Sequence, residues 1–125
     1  MTDSNYVPAQ SAQEVIRRYA LGERRFTDLD LALERSIFQG VTLVDAVFDG
    51  SVLYEANFSD ADLRGASFRL TDIKCADFRN ADVRRACFEG AMVEATRFEG
   101  ATYRGDEFVG AYCYSNTIKP GDDFP

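Results

Sequence analysis

The side chains best placed to do chemistry in this chain are acids and arginines, because it contains no histidine and no tryptophan. Without histidine, the usual proton carrier and metal ligand near neutral pH is missing. Two couples have the same spacing, Asp62 with Arg64 and Asp82 with Arg84, and Arg104 continues the arginine series at intervals of twenty. Carboxylates brought together can bind a hard cation weakly. Arginines brought together suit an anion. Glu89, Glu94 and Glu99 recur every five residues. Which of these groups meet depends on the element that carries them.

That element is a repeat. Leu33, Phe38, Leu43, Phe48, Leu53, Phe58, Leu63, Phe68, Ile73, Phe78, Val83, Phe88, Val93, Phe98, Tyr103 and Phe108 follow one another at intervals of five. Two residues before most of them stands a small residue, such as Ala46, Ala56, Ala61 or Ala66. A helix turns about 100° per residue, so a period of five scatters these residues round its axis. In a straight strand an odd period puts every second one in water. Three extended residues (small in, polar out, large in) followed by a two-residue turn keep all of them inside. All seven glycines from 33 to 110 fall two residues after a large apolar position, with Asp45, Asp60 and Asn80 in the same phase. These types tolerate positive φ, so the phase is the second turn residue. At Arg35, Glu55, Leu70, Cys75, Arg85 and Ala95, turns that keep φ negative are expected. Aliphatic and phenylalanine residues alternate, so the chemical unit is ten residues and four faces per coil stack like on like.

Ala61-Asp62-Leu63-Arg64-Gly65, Ala76-Asp77-Phe78-Arg79-Asn80 and Ala81-Asp82-Val83-Arg84-Arg85 carry the motif A-(D/N)-L-x-x. The run resembles the pentapeptide repeat proteins over about two-thirds of the chain. The resemblance implies an all-β fold, a right-handed quadrilateral β-helix of twenty residues per coil. The core ladder is then Phe38, Phe58, Phe78 and Phe98 in one column, with Phe48, Phe68, Phe88 and Phe108 in another on the opposite wall.

The rest of the chain supplies the ends. Residues 1–10 carry no period and are expected to be flexible. Ser11 and Glu14 form a capping box for a helix ending at Gly22, with Val15, Ile16, Tyr19 and Ala20 as its apolar stripe. Too short to stand alone, this segment (11–24) is expected to cap the first coil. Residues 25–113 form the column, in which Arg25 to Ala32 are a lead-in coil shifted by two, since Phe26 and Leu31 miss the phase of Leu33. At Asp106 an acid occupies a small, buried phase, so the regular column ends near there. Residues 114–125 are a tail or cap.

Twenty residues per coil would stack Arg64, Arg84 and Arg104 on one corner about 4.8 Å apart. Asp62, Asp82 and Asp45 would answer part of that charge in a structural ladder. The sharper alternative is a patch for an anionic partner. The three glutamates fall on different walls and form no site. Ile37, Val44, Val47, Val52 and Tyr54 occupy outward phases where later coils are polar, so the helix or a partner must cover them.

Flat walls, and carboxylates matched by arginines, exclude an enzyme, and no catalytic residue, cofactor or metal is assigned. The net charge of −7 disfavours direct nucleic-acid binding. No apolar stretch is long enough for a membrane span. Three cysteines cannot all pair, and Cys75, Cys87 and Cys113 are read as reduced, which favours a cytoplasmic location. The expected role is a protein interaction or scaffold module of unknown partner. The alternatives are a DNA mimic acting on DNA gyrase, a role the resemblance brings with it, and a structural rod with no dedicated partner. A monomer with a self-capping tail is expected, against an end-to-end homodimer.

Overall fold

The computed structural model describes residues 5–32 and 36–125. Leu33, Arg35 and the first four residues, each part of an expectation above, lie outside the described residues. The chain winds as a β-helix in which outward residues pair in parallel with those one coil later: Ile37 with Asn57, Thr42 with Asp62, Val47 with Ser67 and Val52 with Asp72, repeating down the column. Each coil is thus twenty residues with four pairing positions. Backbone groups are matched from coil to coil. Phe38 N–H donates to Asn57 O at 2.7 Å, Asn57 N–H to Ser36 O at 2.8 Å, and corner Gly40 N–H to Ser59 O at 2.9 Å. Within each turn a bond such as Ala46 N–H to Leu43 O at 3.1 Å closes the corner. Helix and strand patterns both fail at period five because the chain never runs straight for more than three residues.

Inside, the rings form two stacks. Phe38, Phe58, Phe78 and Phe98 lie 4.8–5.2 Å apart and within 6° of parallel, and Phe48, Phe68, Phe88 and Phe108 lie 5.1 Å apart. The stacks meet edge to face, as at Phe78 and Phe88, 5.8 Å and 88°. Stacked contacts within columns and T-shaped contacts between them are the two arrangements the ring quadrupole favours.

The corners depart from expectation. Glu55, Leu70, Cys75, Arg85 and Ala95 all have φ between 57° and 63°, the same left-handed corner as Asp45, Asp60 and Asn80. The expected negative-φ turns do not occur, because the corner N–H reaches an acceptor one coil later: Glu55 to Lys74 O, Leu70 to Glu89 O and Cys75 to Glu94 O, each at 3.0 Å, and Arg85 to the Glu107 carboxylate at 3.1 Å. A turn of another type would aim that N–H elsewhere and leave the ladder unpaired. Against this the left-handed cost, about 1–2 kcal/mol per residue, loses.

Helix α1 spans Ala12–Ala20. Ser11 Oγ accepts from Glu14 N–H at 3.1 Å, and the Glu14 carboxylate accepts from Gln10 N–H at 2.9 Å, one residue before the cap. Its inner stripe is Ala12, Val15, Ile16 and Tyr19, whereas Ala20 is exposed. The i, i+3, i+4, i+7 pattern began one turn earlier than expected, which rotates Ala20 off the contact face. Tyr19 Oη donates to Val44 O at 2.9 Å, tying the helix to the column. Residues 5–10 run along the lead-in coil, with Tyr6 Oη donating to Thr27 O at 2.7 Å and Ala9 buried. Arg25 pairs with Val47 and Asp30 with Val52, a step of twenty-two residues that reveals the two-residue shift directly.

At the other end the regular coil breaks off at Thr102, and parallel pairing resumes only at Tyr112, opposite Met92. Tyr103, expected inside, is 40% exposed, and Asp106 is exposed rather than buried. Gly105, at φ 119°, redirects the chain into a 3-10 turn over Asp106–Phe108. This local reorientation, within the same twenty-residue register in which Phe88 N–H still donates to Glu107 O, buries Glu107 in place of Asp106. Strand β1, Tyr112–Cys113, pairs antiparallel with β2, Asn116–Thr117. The tail then folds across the column end, where Phe124 meets Phe108 at 5.3 Å and Phe98 at 6.1 Å. The three cysteines are free, and no helix is long and apolar enough to cross a membrane among the described residues.

Candidate interaction surface

The outward residue of a face and the first turn residue lie two apart on one wall, so an acid followed by a base folds back on itself. Asp62 Oδ1 accepts Arg64 N–H at 3.3 Å while its carboxylate takes the guanidinium at 2.9 and 2.8 Å. Asp82 with Arg84 and Asp77 with Arg79 repeat the arrangement, their closest contacts 2.6 and 2.7 Å. The hydrogen bond from Arg64 holds the Asp62 carboxyl below its ordinary value against partial burial, and Arg84 does the same for Asp82. A weaker contact of 3.9 Å from Arg64 to Asp82 links successive coils. Half-exposed pairs of this kind contribute about 0–1 kcal/mol each. Asp45 forms no ion pair among the described residues, so the expected answer to the arginines comes from Asp62 and Asp82 alone.

Arg104 differs from the arginines above it. Thr102 stands where Asp82 and Asp62 stand one and two coils earlier, and the Arg104 guanidinium has no carboxylate partner among the described residues. Arg64, Arg84, Arg85 and Arg104 line one shallow, open recess at this corner. Behind it lies the Glu107 carboxylate, 4% exposed, which accepts the backbone N–H groups of Arg104 at 2.9 Å, Gly105 at 2.7 Å and Arg85 at 3.1 Å. Burial alone would raise the Glu107 carboxyl, but these donors outweigh it and hold it below its ordinary value. Arg85 and Glu107 were not foreseen in this role. The turn at Gly105 that brings the Glu107 carboxylate under the corner has no signal in the repeat.

The apolar outward residues divide. Val44, Val47 and Val52 are half-buried beneath α1 and the lead-in coil, whereas Ile37 is 57% exposed and Tyr54 stands at an open corner. Hydrogen bonding to the Cys75 side chain, one coil on, pushes the Tyr54 phenol up. Leu70, Met92, Tyr112 and Tyr114 are also exposed. Met92 and Tyr112 could have been found from their outward phase. Leu70 occupies a corner at φ 57° and lies over Gly90, where its Cδ2 stands 2.6 Å from the place a β-carbon would take. That corner needs glycine both for its φ of 74° and for this approach. Glu89 pairs with Arg69 at 3.4 Å, and Glu94 accepts Tyr114 N–H at 3.0 Å. Among the described residues, no three His, Cys, Asp or Glu side chains gather as a metal site would require.

A family model for pentapeptide repeats matches the chain in 8 copies over residues 33–69 and 51–90. No curated protein matches it. Among solved structures it is similar to alr5209, a pentapeptide repeat protein from Nostoc PCC 7120, at 24% identity over 94% of this chain and 93% of that one, with a TM-score of 0.77. HetL from Nostoc sp. strain PCC 7120, a pentapeptide repeat protein involved in heterocyst differentiation regulation, is 20% identical over 82% of this chain with a TM-score of 0.70. The match covers 47% of HetL, so this chain spans about half of that protein. A pentapeptide repeat protein from the Arabidopsis thaliana thylakoid lumen is 35% identical over 72% of this chain and 63% of its own, with a TM-score of 0.37. The two Nostoc likenesses bear on fold alone.

Proposed function

The chain belongs to the pentapeptide repeat family, and from that premise we propose that it is a non-catalytic interaction module whose column presents flat walls to a protein partner. The column is a right-handed quadrilateral β-helix over 25–113, capped by 11–24 above and by 114–125 below. Four pairing positions in each twenty-residue coil support four walls. The observation that carries the reading is the exposure of Ile37, Met92 and Tyr112 on the walls and of Tyr54, Leu70 and Tyr114 at turns, on a surface whose other outward positions are mostly polar. Exposed apolar groups gathered on a rigid surface mark contact sites. The Leu70 corner adds left-handed backbone that leucine adopts only at a cost. The protein acts as a monomer, with Phe124 closing the lower end, and three free cysteines suit the cytoplasm.

The test is capture from the native host with the full chain immobilised, followed by reconstitution of the captured protein with wild type and with Ile37→Asp and Tyr54→Asp. Loss of the complex in well-folded variants supports the module. Undiminished binding by both overturns it. The charge of −7 favours a second reading, a DNA mimic acting on DNA gyrase. Arg64, Arg84 and Arg104 interrupt the negative surface such a mimic needs, and inhibition of gyrase supercoiling by the purified chain would support the mimic nonetheless.

A further inference from the structure

We propose that the recess between Arg64, Arg84, Arg85 and Arg104 docks a short acidic peptide segment of a protein partner, its carboxylates taken by the guanidiniums of Arg85 and Arg104. The proposal rests on the interaction-module reading and assigns partner chemistry to one corner of it.

Four arginines converge there in a chain whose net charge is −7. Stacked like charges repel, and the upper coils answer them from within through Asp62 and Asp82. At the lower coil the internal answer stops, because Thr102 replaces the aspartate. Arg85 has no carboxylate partner either, among the described residues, and it holds a φ of 63° at a corner position that is Gly65 one coil above and Gly105 one coil below. An arginine is a costly choice where glycine serves on either side. The buried acid behind the recess, Glu107, spends its oxygens on the backbone N–H groups of Arg85, Arg104 and Gly105. It braces the corner from behind, and neither guanidinium bonds to it. Asp62 and Asp82 meanwhile hold Arg64 and Arg84 in fixed orientations, so the upper half of the recess is preorganised.

The occupant follows from shape and field. Guanidinium forks match carboxylates in bidentate fashion. From Arg64 to Arg104 is two coil steps, about 10 Å, which about three extended residues span. A nucleic acid fits less well. It would extend its charge beyond the recess across an acidic surface, and the recess lining offers no ring for a base to stack upon.

The experiment measures binding of a fluorescent glutamate-rich peptide to the full chain, beside a glutamine-substituted peptide and a single-stranded oligonucleotide of equal charge. Wild type should prefer the acidic peptide to both, with affinity falling as salt rises. Arg104→Gln and Arg85→Gly should each weaken it about tenfold, whereas Arg79→Gln, whose side chain is paired with Asp77, should leave it unchanged. Arg85→Gly should also raise the thermal midpoint while it weakens binding, an opposition that a merely structural arginine would not produce. Equal binding of acidic and neutral peptides, wild-type affinity in both recess variants, or tighter binding of the oligonucleotide overturns the proposal. If the acidic peptide fails while Ile37→Asp or Tyr54→Asp still breaks the captured complex, the recess assignment falls and the module stands. If those wall variants also bind normally, the module itself falls.

Discussion

The two ends of the column solve one problem with different chemistry. Any β-helix end leaves a row of N–H and C=O groups without a next coil and exposes rings that would otherwise be covered. At the upper end a regular element is brought in. Helix α1 satisfies its own backbone, buries Val15 completely and is held to the column by the Tyr19 hydroxyl. The coil beneath it stretches from twenty to twenty-two residues and still pairs. At the lower end no α-helix is present among the described residues after 102, only the 3-10 turn over Asp106–Phe108, and single side chains stand in for missing elements. One carboxylate, Glu107, accepts N–H groups that would otherwise face carbonyls of a further coil, and one ring, Phe124, lies across Phe98 and Phe108. A cap built as secondary structure spreads its stability over many contacts. A cap built from two side chains concentrates it, so point substitutions should act strongly below and only truncation should act strongly above.

Removing residues 1–24 should have the largest effect. It uncovers the first coil and should drive the chain to aggregate, measured by sedimentation. If the shortened chain stays monomeric and equally stable, α1 is no cap and the contrast between the ends fails. Phe78→Ala, midway between them, sets the scale for the interior. It should lose about 3–5 kcal/mol in denaturant unfolding, and a loss below about 1 kcal/mol would mean that the ring stacks contribute little.

Glu107→Ala comes next, at about 1–3 kcal/mol, because three partly buried N–H groups lose their acceptor. Its pH dependence has a definite sign. The folded carboxyl is held below its ordinary value of 4.5, so its contribution is present above that value and disappears as pH falls through the lowered one. The stability gap between wild type and Glu107→Ala should therefore be full at neutral pH and close in acid. A gap that widened on acidification would contradict the backbone-acceptor role. Phe124→Ala should be the mildest, about 1 kcal/mol for the loss of two edge contacts. The full chain should sediment as a monomer. A dimer that becomes monomeric when the chain ends at Ser115 would show that the lower end is closed by a second copy.

Much of the column could be read without coordinates. The apolar period of five, the glycines in one phase and the alternation of phenylalanine with aliphatic residues each follow from which side chains a three-residue face can bury. The Asp-x-Arg couples were equally legible, since residues two apart on one wall meet whatever the rest of the chain does. The corners at Glu55, Leu70, Cys75, Arg85 and Ala95 were not. Their own preferences favour negative φ, and at Glu55, Leu70 and Cys75 the bond that overrules them reaches a carbonyl nineteen residues ahead, while Arg85 N–H reaches the Glu107 carboxylate.

By itself, then, the sequence determined where the chain turns and which side chains lie inside, because at every fifth residue the partition between water and core repeats the same local choice. Only the tertiary structure decided that all corners share one left-handed form, that Glu107 rather than Asp106 is buried, that Tyr103 turns outward, and that Arg85 joins Arg64, Arg84 and Arg104 around one recess. These outcomes depend on hydrogen bonds between successive coils and on how the last coil ends, where no repeat remains to impose a register.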